Sequence, residues 1–122
     1  MTLGCRDSFI TIAADDFEHL VMFYQRLLTR SPEVLIPQIY AEFKLPGVRL
    51  GIFKPKDSEE FSASTQSGMS LCLEVADLEA AIAHASQING AVLSKITNAS
   101  HGRELYLYDP VGNRLILHQS FS

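Results

Sequence analysis

The sequence predicts an α+β fold built from two successive βαβββ modules. Three observations carry that reading. A strand pattern gives way to a helical one at an Asp twice along the chain, three strand-like runs follow each helix, and a Pro- and Gly-containing turn joins the last two strands of each half. With 122 residues the chain is long enough for one compact domain and too short for two independent ones. The halves are therefore expected to form a single domain over 1–122: module 1 at about 7–54, a linker at 55–68, and module 2 at about 69–120.

The first strand of each module follows from period-two alternation. Ile10, Ile12 and Ala14 alternate in one, and Leu71, Leu73 and Val75 in the other. After Asp16 and Asp77 the apolar period becomes helical, through Phe17, Leu20, Val21, Tyr24, Leu27 and Leu28, and through Leu78, Ala81, Ile82, Ala85 and Ile88. An Asp at a helix start accepts the free N–H groups of the first turn and suits the positive end of the dipole. Ser31-Pro32 is expected to stop the first helix and Asn89-Gly90 the second. Strands are then predicted at 34–36, 38–45 and 48–53, and at 91–96, 103–108 and 114–118. Leu45-Pro46-Gly47-Val48 and Asp109-Pro110-Val111-Gly112-Asn113 supply the hairpin turns. The stretch from Pro55 to Gly68 is rich in Ser, Glu, Lys and Asp and reads as a mobile connection.

Composition narrows the function classes. Hydrophobic residues make up 47% and charged ones 20%, as in ordinary globular proteins, so no disulfide or metal staple is required. A net charge of −4 with no Lys/Arg cluster argues against nucleic-acid or anionic-membrane partners. No apolar run reaches membrane-spanning length, and the first residues lack the pattern of a signal peptide. Cys5 and Cys72 fit no metal or redox spacing and are expected as buried or partly buried thiols of a cytoplasmic protein.

The stretch Tyr106-Leu107-Tyr108-Asp109-Pro110-Val111-Gly112-Asn113-Arg114-Leu115-Ile116-Leu117 resembles the aromatic-x-x-Asp-Pro-x-Gly-Asn-x-hydrophobic-Glu-Leu hairpin of the vicinal-oxygen-chelate superfamily. That superfamily includes glyoxalase I, bleomycin-resistance proteins and extradiol dioxygenases. Asp16 through Phe23-Tyr24 is similar to its first helix, and His101-Gly102-Arg103 to the lead into its penultimate strand. The resemblance covers essentially the whole chain. It implies two curved, four-stranded mixed sheets enclosing a cavity with the helices outside, a homodimer, and in some members exchange of modules between chains.

The resemblance also implies metal ligands on the first and last strand of each module. Those positions fall at Phe9 (or Ile10, one residue on), Gly51, Ser70 (or Leu71) and Ile116, where the family has its Glu. None supplies the imidazole or carboxylate that a divalent ion needs, so no metal and no cofactor are expected there. His118 with Glu42, Glu74 or Glu104 is the candidate for a relocated site, against the simpler reading of a His hydrogen-bonded to a neighbouring acid.

Strand alternation sorts the remaining side chains. Ile39, Ala41, Phe43, Leu50, Ile52, Leu71, Leu73, Leu105, Leu107, Leu115 and Leu117 are expected under the helices. Their neighbours, among them Tyr40, Glu42, Arg49, Cys72, Glu74, Glu104, Tyr106, Tyr108 and His118, are expected on the opposite, cavity-facing side. The leading expectation is a metal-free small-molecule binder in which Tyr40, Tyr106 and Tyr108 stack on a ligand oriented by Arg49, Glu74, Glu104 and His118. The alternatives are a lyase, isomerase or dioxygenase with displaced metal ligands, or metal-free acid–base catalysis by Glu104 and His118. Mutual pairing of these charges in a closed, ligand-free fold is the remaining reading, and Cys72 serves as a nucleophile only beside a base such as His118.

Overall fold

The computed structural model describes residues 2–57 and 68–121. Residues 58–67, the centre of the predicted linker with Phe61, lie outside the described residues. The chain divides into two compact units, Met1–Ser62 and Ala63–Ser122.

The first unit runs β1 (Ile10–Ala13), α1 (Phe17–Leu28), β2 (Val34–Ile36), β3 (Tyr40–Leu45), β4 (Val48–Phe53). Its sheet has the order β1-β4-β3-β2, with β1 parallel to β4 and the other pairs antiparallel. Asp16 caps α1 by accepting the His19 N–H. The helix stops at a left-handed Thr29, two residues before the Ser31-Pro32 pair expected to end it. Pro37-Gln38 makes a turn closed by the Ile39 N–H to the Ile36 carbonyl, with Gln38 at φ 63°. That turn takes Gln38 and Ile39 out of the predicted strand, and Ile39, expected under the helix, is 59% exposed.

The second unit runs β5 (Leu71–Glu74), α2 (Leu78–Ser86), β6 (Val92–Leu93), β7 (Thr97–Ala99), β8 (Gly102–Tyr108), β9 (Arg114–Ser120). Its sheet is β5-β9-β8-β6, with β7 also pairing β8, and β5 is parallel to β9. The resemblance implies four strands here and the sheet has five. The single strand predicted over 91–96 is broken at Ser94, whose hydroxyl takes the Tyr106 N–H while its own N–H goes to the Tyr106 carbonyl. Register shifts by one residue across the break, from Leu93↔Leu107 to Thr97↔Glu104, which is a β-bulge. Asp77 caps α2 through the Ala80 N–H, and Gln119 of β9 takes the Leu78 N–H. This helix ends at Ser86, so Ile88 is buried in the turn that follows rather than in the helix.

In both units the helix covers the face that alternation assigns to it. α1 packs against β4, with Phe17, Leu20, Val21 and Tyr24 buried along with Ala41, Phe43, Leu50 and Ile52 of the sheet. α2 packs against β9, with Leu78, Ala85, Leu105, Leu107, Leu115 and Leu117 buried. Each larger side chain of this kind contributes about 1.5–3 kcal/mol on burial. Leu71 and Leu73 are only half-buried, because β5 is an edge strand. The hairpin turns form as predicted: Gly47 and Gly112 take φ of 81° and 91°. The buried Asp109 carboxylate accepts the N–H groups of Val111 and Asn113 and the Asn113 side-chain amide.

Candidate functional site

With one face of each sheet given to a helix, the polar side chains gather on the other. In the first unit, Tyr40 on β3 donates its hydroxyl to Glu42 Oε1 at 2.7 Å, and Arg49 Nη1 on β4 reaches Glu42 Oε2 at 3.1 Å. Arg49 also pairs with Asp7 and lies over the ring of Phe9, 5.1 Å from its centre. Burial, the hydrogen bond to Glu42 and that carboxylate's charge push the Tyr40 phenol up to about 12. Gly51 lies beneath this cluster. A methyl group added there would stand 2.5 Å from the Tyr40 Oη and 2.9 Å from Cε1, so the phenol occupies the space that a side chain at 51 needs.

In the second unit, one transverse row is Glu74–His118–Glu104 and the next is Cys72–Ile116–Tyr106. His118 Nδ1 is 2.7 Å from Glu74 Oε1, and the Ser120 N–H donates to Glu74 Oε2. The hydrogen bond from His118 and the backbone donor hold the Glu74 carboxyl below the usual carboxylate range. The imidazole packs where a methyl on Gly102 would stand, 2.7 Å from Nε2 and Cε1, and the His101 ring centre is 6.0 Å away. Beyond Tyr106, Arg114 lies over that ring, 4.9 Å from its centre, and donates Nε–H to Ser70 Oγ at 2.6 Å.

The predicted site residues thus fall into two sets, each within its own unit. Tyr40 and Arg49 meet through Glu42, and Glu74 meets His118. Glu104 stands opposite His118 in register, but the partner of the imidazole is Glu74. Tyr106 is exposed and Tyr108 half-buried opposite Arg114. His19, His84 and His101 are exposed. Both thiols are free and exposed, which corrects the expectation of burial. Cys72 is no activated nucleophile: partial burial and the carboxylates of Glu104 and Glu74 raise its pKa. The residue missed in the sequence is Arg114. Alternation from Ile116 and His118 places it on the same face, directly after the Gly112-Asn113 turn.

The family model for the glyoxalase-like domain matches residues 9–118. The chain belongs to the glyoxalase-like domain family. No curated protein sequence matches it significantly. Among solved structures, this glyoxalase-like domain is similar to a glyoxalase/bleomycin resistance protein/dioxygenase family enzyme from Burkholderia phytofirmans PsJN, with 20% identity and TM-score 0.80 over 95% of this chain and 100% of that one. It is also similar to a glyoxalase-related enzyme from Fulvimarina pelagi (19%, TM-score 0.70, 94% and 88%). A third is the bleomycin-binding protein of Streptomyces verticillus, solved with copper(II)-bleomycin (17%, TM-score 0.64, 99% of each chain). At these identities the likeness is one of fold, the α+β architecture of the vicinal-oxygen-chelate superfamily.

Superfamily membership implies a divalent metal, and the residues at the four expected positions do not fit one. Register sets Thr11 opposite Gly51 and Cys72 opposite Ile116, so Phe9 and Ser70 each lie two residues before the partner of the last-strand position, on the same face. Phe9, Gly51 and Ile116 carry no donor atom, and the Ser70 hydroxyl is engaged by Arg114. Among the described residues no three His, Cys, Asp or Glu side chains gather as a metal-binding group, and no helix is long and apolar enough to cross a membrane.

Proposed function

We propose that this glyoxalase-like domain binds a small organic molecule on the open sheet faces and does so without the metal its superfamily implies. The observation that carries the reading is Tyr40 over Gly51: a phenol locked by Glu42 stands where a metal-binding side chain would have to project. Further support comes from the aromatic and charged groups of that face, Tyr106 and Glu74 exposed and Arg114 half-buried, which a closed apolar core would not tolerate. The family match across 9–118 supports treating both units as one domain. Elemental analysis before and after soaking with Ni²⁺, Zn²⁺ or Fe²⁺ is expected to find far less than one metal per chain; one retained ion per chain overturns the metal-free reading. A ligand at a hundred times its Kd stabilises a protein by about 2.7 kcal/mol, so a thermal-shift screen of metabolites should give clear hits. A screen without any shift removes the binding reading.

A second reading has its own observation. Glu74 on Nδ1 fixes the His118 tautomer that carries its lone pair on Nε2, the form needed for acid–base chemistry. Activity that a screen of candidate substrates detected, and that His118→Gln abolished, would favour it over binding alone. We also place the protein in the cytoplasm as a homodimer. Exposed free thiols suit a reducing compartment, and the apolar edge strand β2, with Val34, Leu35 and Ile36 exposed, offers a face for a second copy. Light scattering on the purified protein checks the dimer.

A further inference from the structure

The arginines on the sheet strands differ in one respect. Arg49 is held by Glu42 and Asp7, and Arg103 is gripped by both oxygens of Glu79 at 2.6 and 2.9 Å. Arg114 has no carboxylate partner among the described residues. Its Nε–H goes to the Ser70 hydroxyl and its plane rests on Tyr106, so its position is set from the inner side. The two terminal NH₂ groups have no hydrogen-bond or ion-pair partner among the described residues. A half-buried guanidinium held on one edge and stacked on a ring is prepared for bidentate recognition on its other edge.

We infer that Arg114 forms an oxyanion subsite on the open face of the second sheet, taking the carboxylate, phosphonate or phosphate of an organic acid. The surroundings set the rest of the ligand. Next to Arg114 comes the row Cys72–Ile116–Tyr106, which suits a carbon frame. The row after that holds Glu74 and Glu104, about 13 Å from Arg114 at about 3.3 Å per residue. The face therefore runs from cationic through apolar to acidic, and favours a molecule with its negative charge at one end only. This inference names a ligand class for the binding reading and rests on it for a biological occupant, while the subsite itself is tested separately.

The test follows the Arg114 Nε–H signal in ¹H–¹⁵N spectra during titration with benzoate, phenylphosphonate, inorganic phosphate or the neutral isostere benzamide. Benzoate and phenylphosphonate are expected to give saturable shifts at Arg114, and benzamide none. Arg114→Gln should weaken benzoate by about tenfold or more, the scale of one lost charge-assisted pair. Arg114→Lys keeps the charge but loses the fork, and should weaken it by a smaller factor of roughly three to tenfold. Arg103→Gln, which removes an arginine paired with Glu79 of α2 in the same unit, should leave it within about twofold. Saturable binding of phosphate alone equal to that of benzoate supports the subsite and assigns it to free phosphate rather than an organic acid. Undiminished benzoate binding by Arg114→Gln, equal binding of benzamide, or shifts centred on Arg49 overturn the subsite. If the metabolite screen yields ligands indifferent to Arg114→Gln, the subsite falls and the binding reading stands. If one metal per chain is retained while benzoate still titrates Arg114, the metal-free reading falls and the subsite stands.

Discussion

The two units share one frame and treat charge in opposite ways. In the first, the open face is neutralised from within: Tyr40, Glu42, Arg49 and Asp7 form one chain of bonds. In the second, charge is separated along the sheet, with Glu74 and His118 at one end and Arg114, which has no carboxylate partner among the described residues, at the other. Equivalent register positions explain how. Glu42 lies opposite Gly51 as Tyr106 lies opposite Ile116, so an acid in one unit stands where a ring stands in the other. Duplicated strands supply the scaffold, and a few substitutions on one face decide whether it is self-contained or leaves a group to offer.

The comparison can be broken most forcefully at the glycines that support each cluster. A methyl at Gly102 would meet the Gln119 carbonyl at 2.3 Å and the His118 ring at 2.7 Å. Backbone cannot give way as a side chain can, so Gly102→Ala should lower unfolding free energy by about 3 kcal/mol, read from the urea midpoint. Gly51→Ala meets only Tyr40, and should cost less, about 1–2 kcal/mol. Equal costs for the two would show that the Tyr40 phenol is as rigid as backbone.

Titration sharpens the contrast without changing the packing. The folded Tyr40 pKa, about 12, lies above its ordinary value of 10.0, so its stabilisation is complete below pH 10 and is lost as pH rises through about 12. Phenolate absorbance should therefore show a late-titrating component that Tyr40→Phe removes, and Glu42→Gln should move that component to lower pH. Glu74 has the opposite sign. Its folded pKa lies below the ordinary carboxylate value, so its stabilisation is present above that value and disappears as pH falls through the folded one. Glu74→Gln should flatten the acid limb of a stability–pH curve by a small amount, because the carboxylate is more than half exposed.

The fold was legible where periodicity acts over several residues. Alternation assigned Ala41, Phe43, Leu50, Ile52, Leu105, Leu107, Leu115 and Leu117 to the helix side, and the Asp caps and Pro/Gly turns stand where predicted. It failed where tertiary setting overrides the pattern. Ile39 was lost to a Pro37-Gln38 turn, the edge strand left Leu71 and Leu73 half-covered, and Ser94 broke a strand by offering its hydroxyl to a backbone N–H. Of the site, alternation gave the faces but not the partners. His118 faces acids on both neighbouring strands, and only the side-chain geometry selects Glu74.

Tyr40 over Gly51 also has a historical dimension. Because the phenol fills the space above residue 51, an acidic side chain there collides unless position 40 shrinks first. The two sites are coupled, so a larger side chain at 51 costs less once position 40 is smaller. A lineage or an engineer placing a carboxylate at 51 loses least by giving up the tyrosine first, and with it the hydroxyl that holds one oxygen of Glu42.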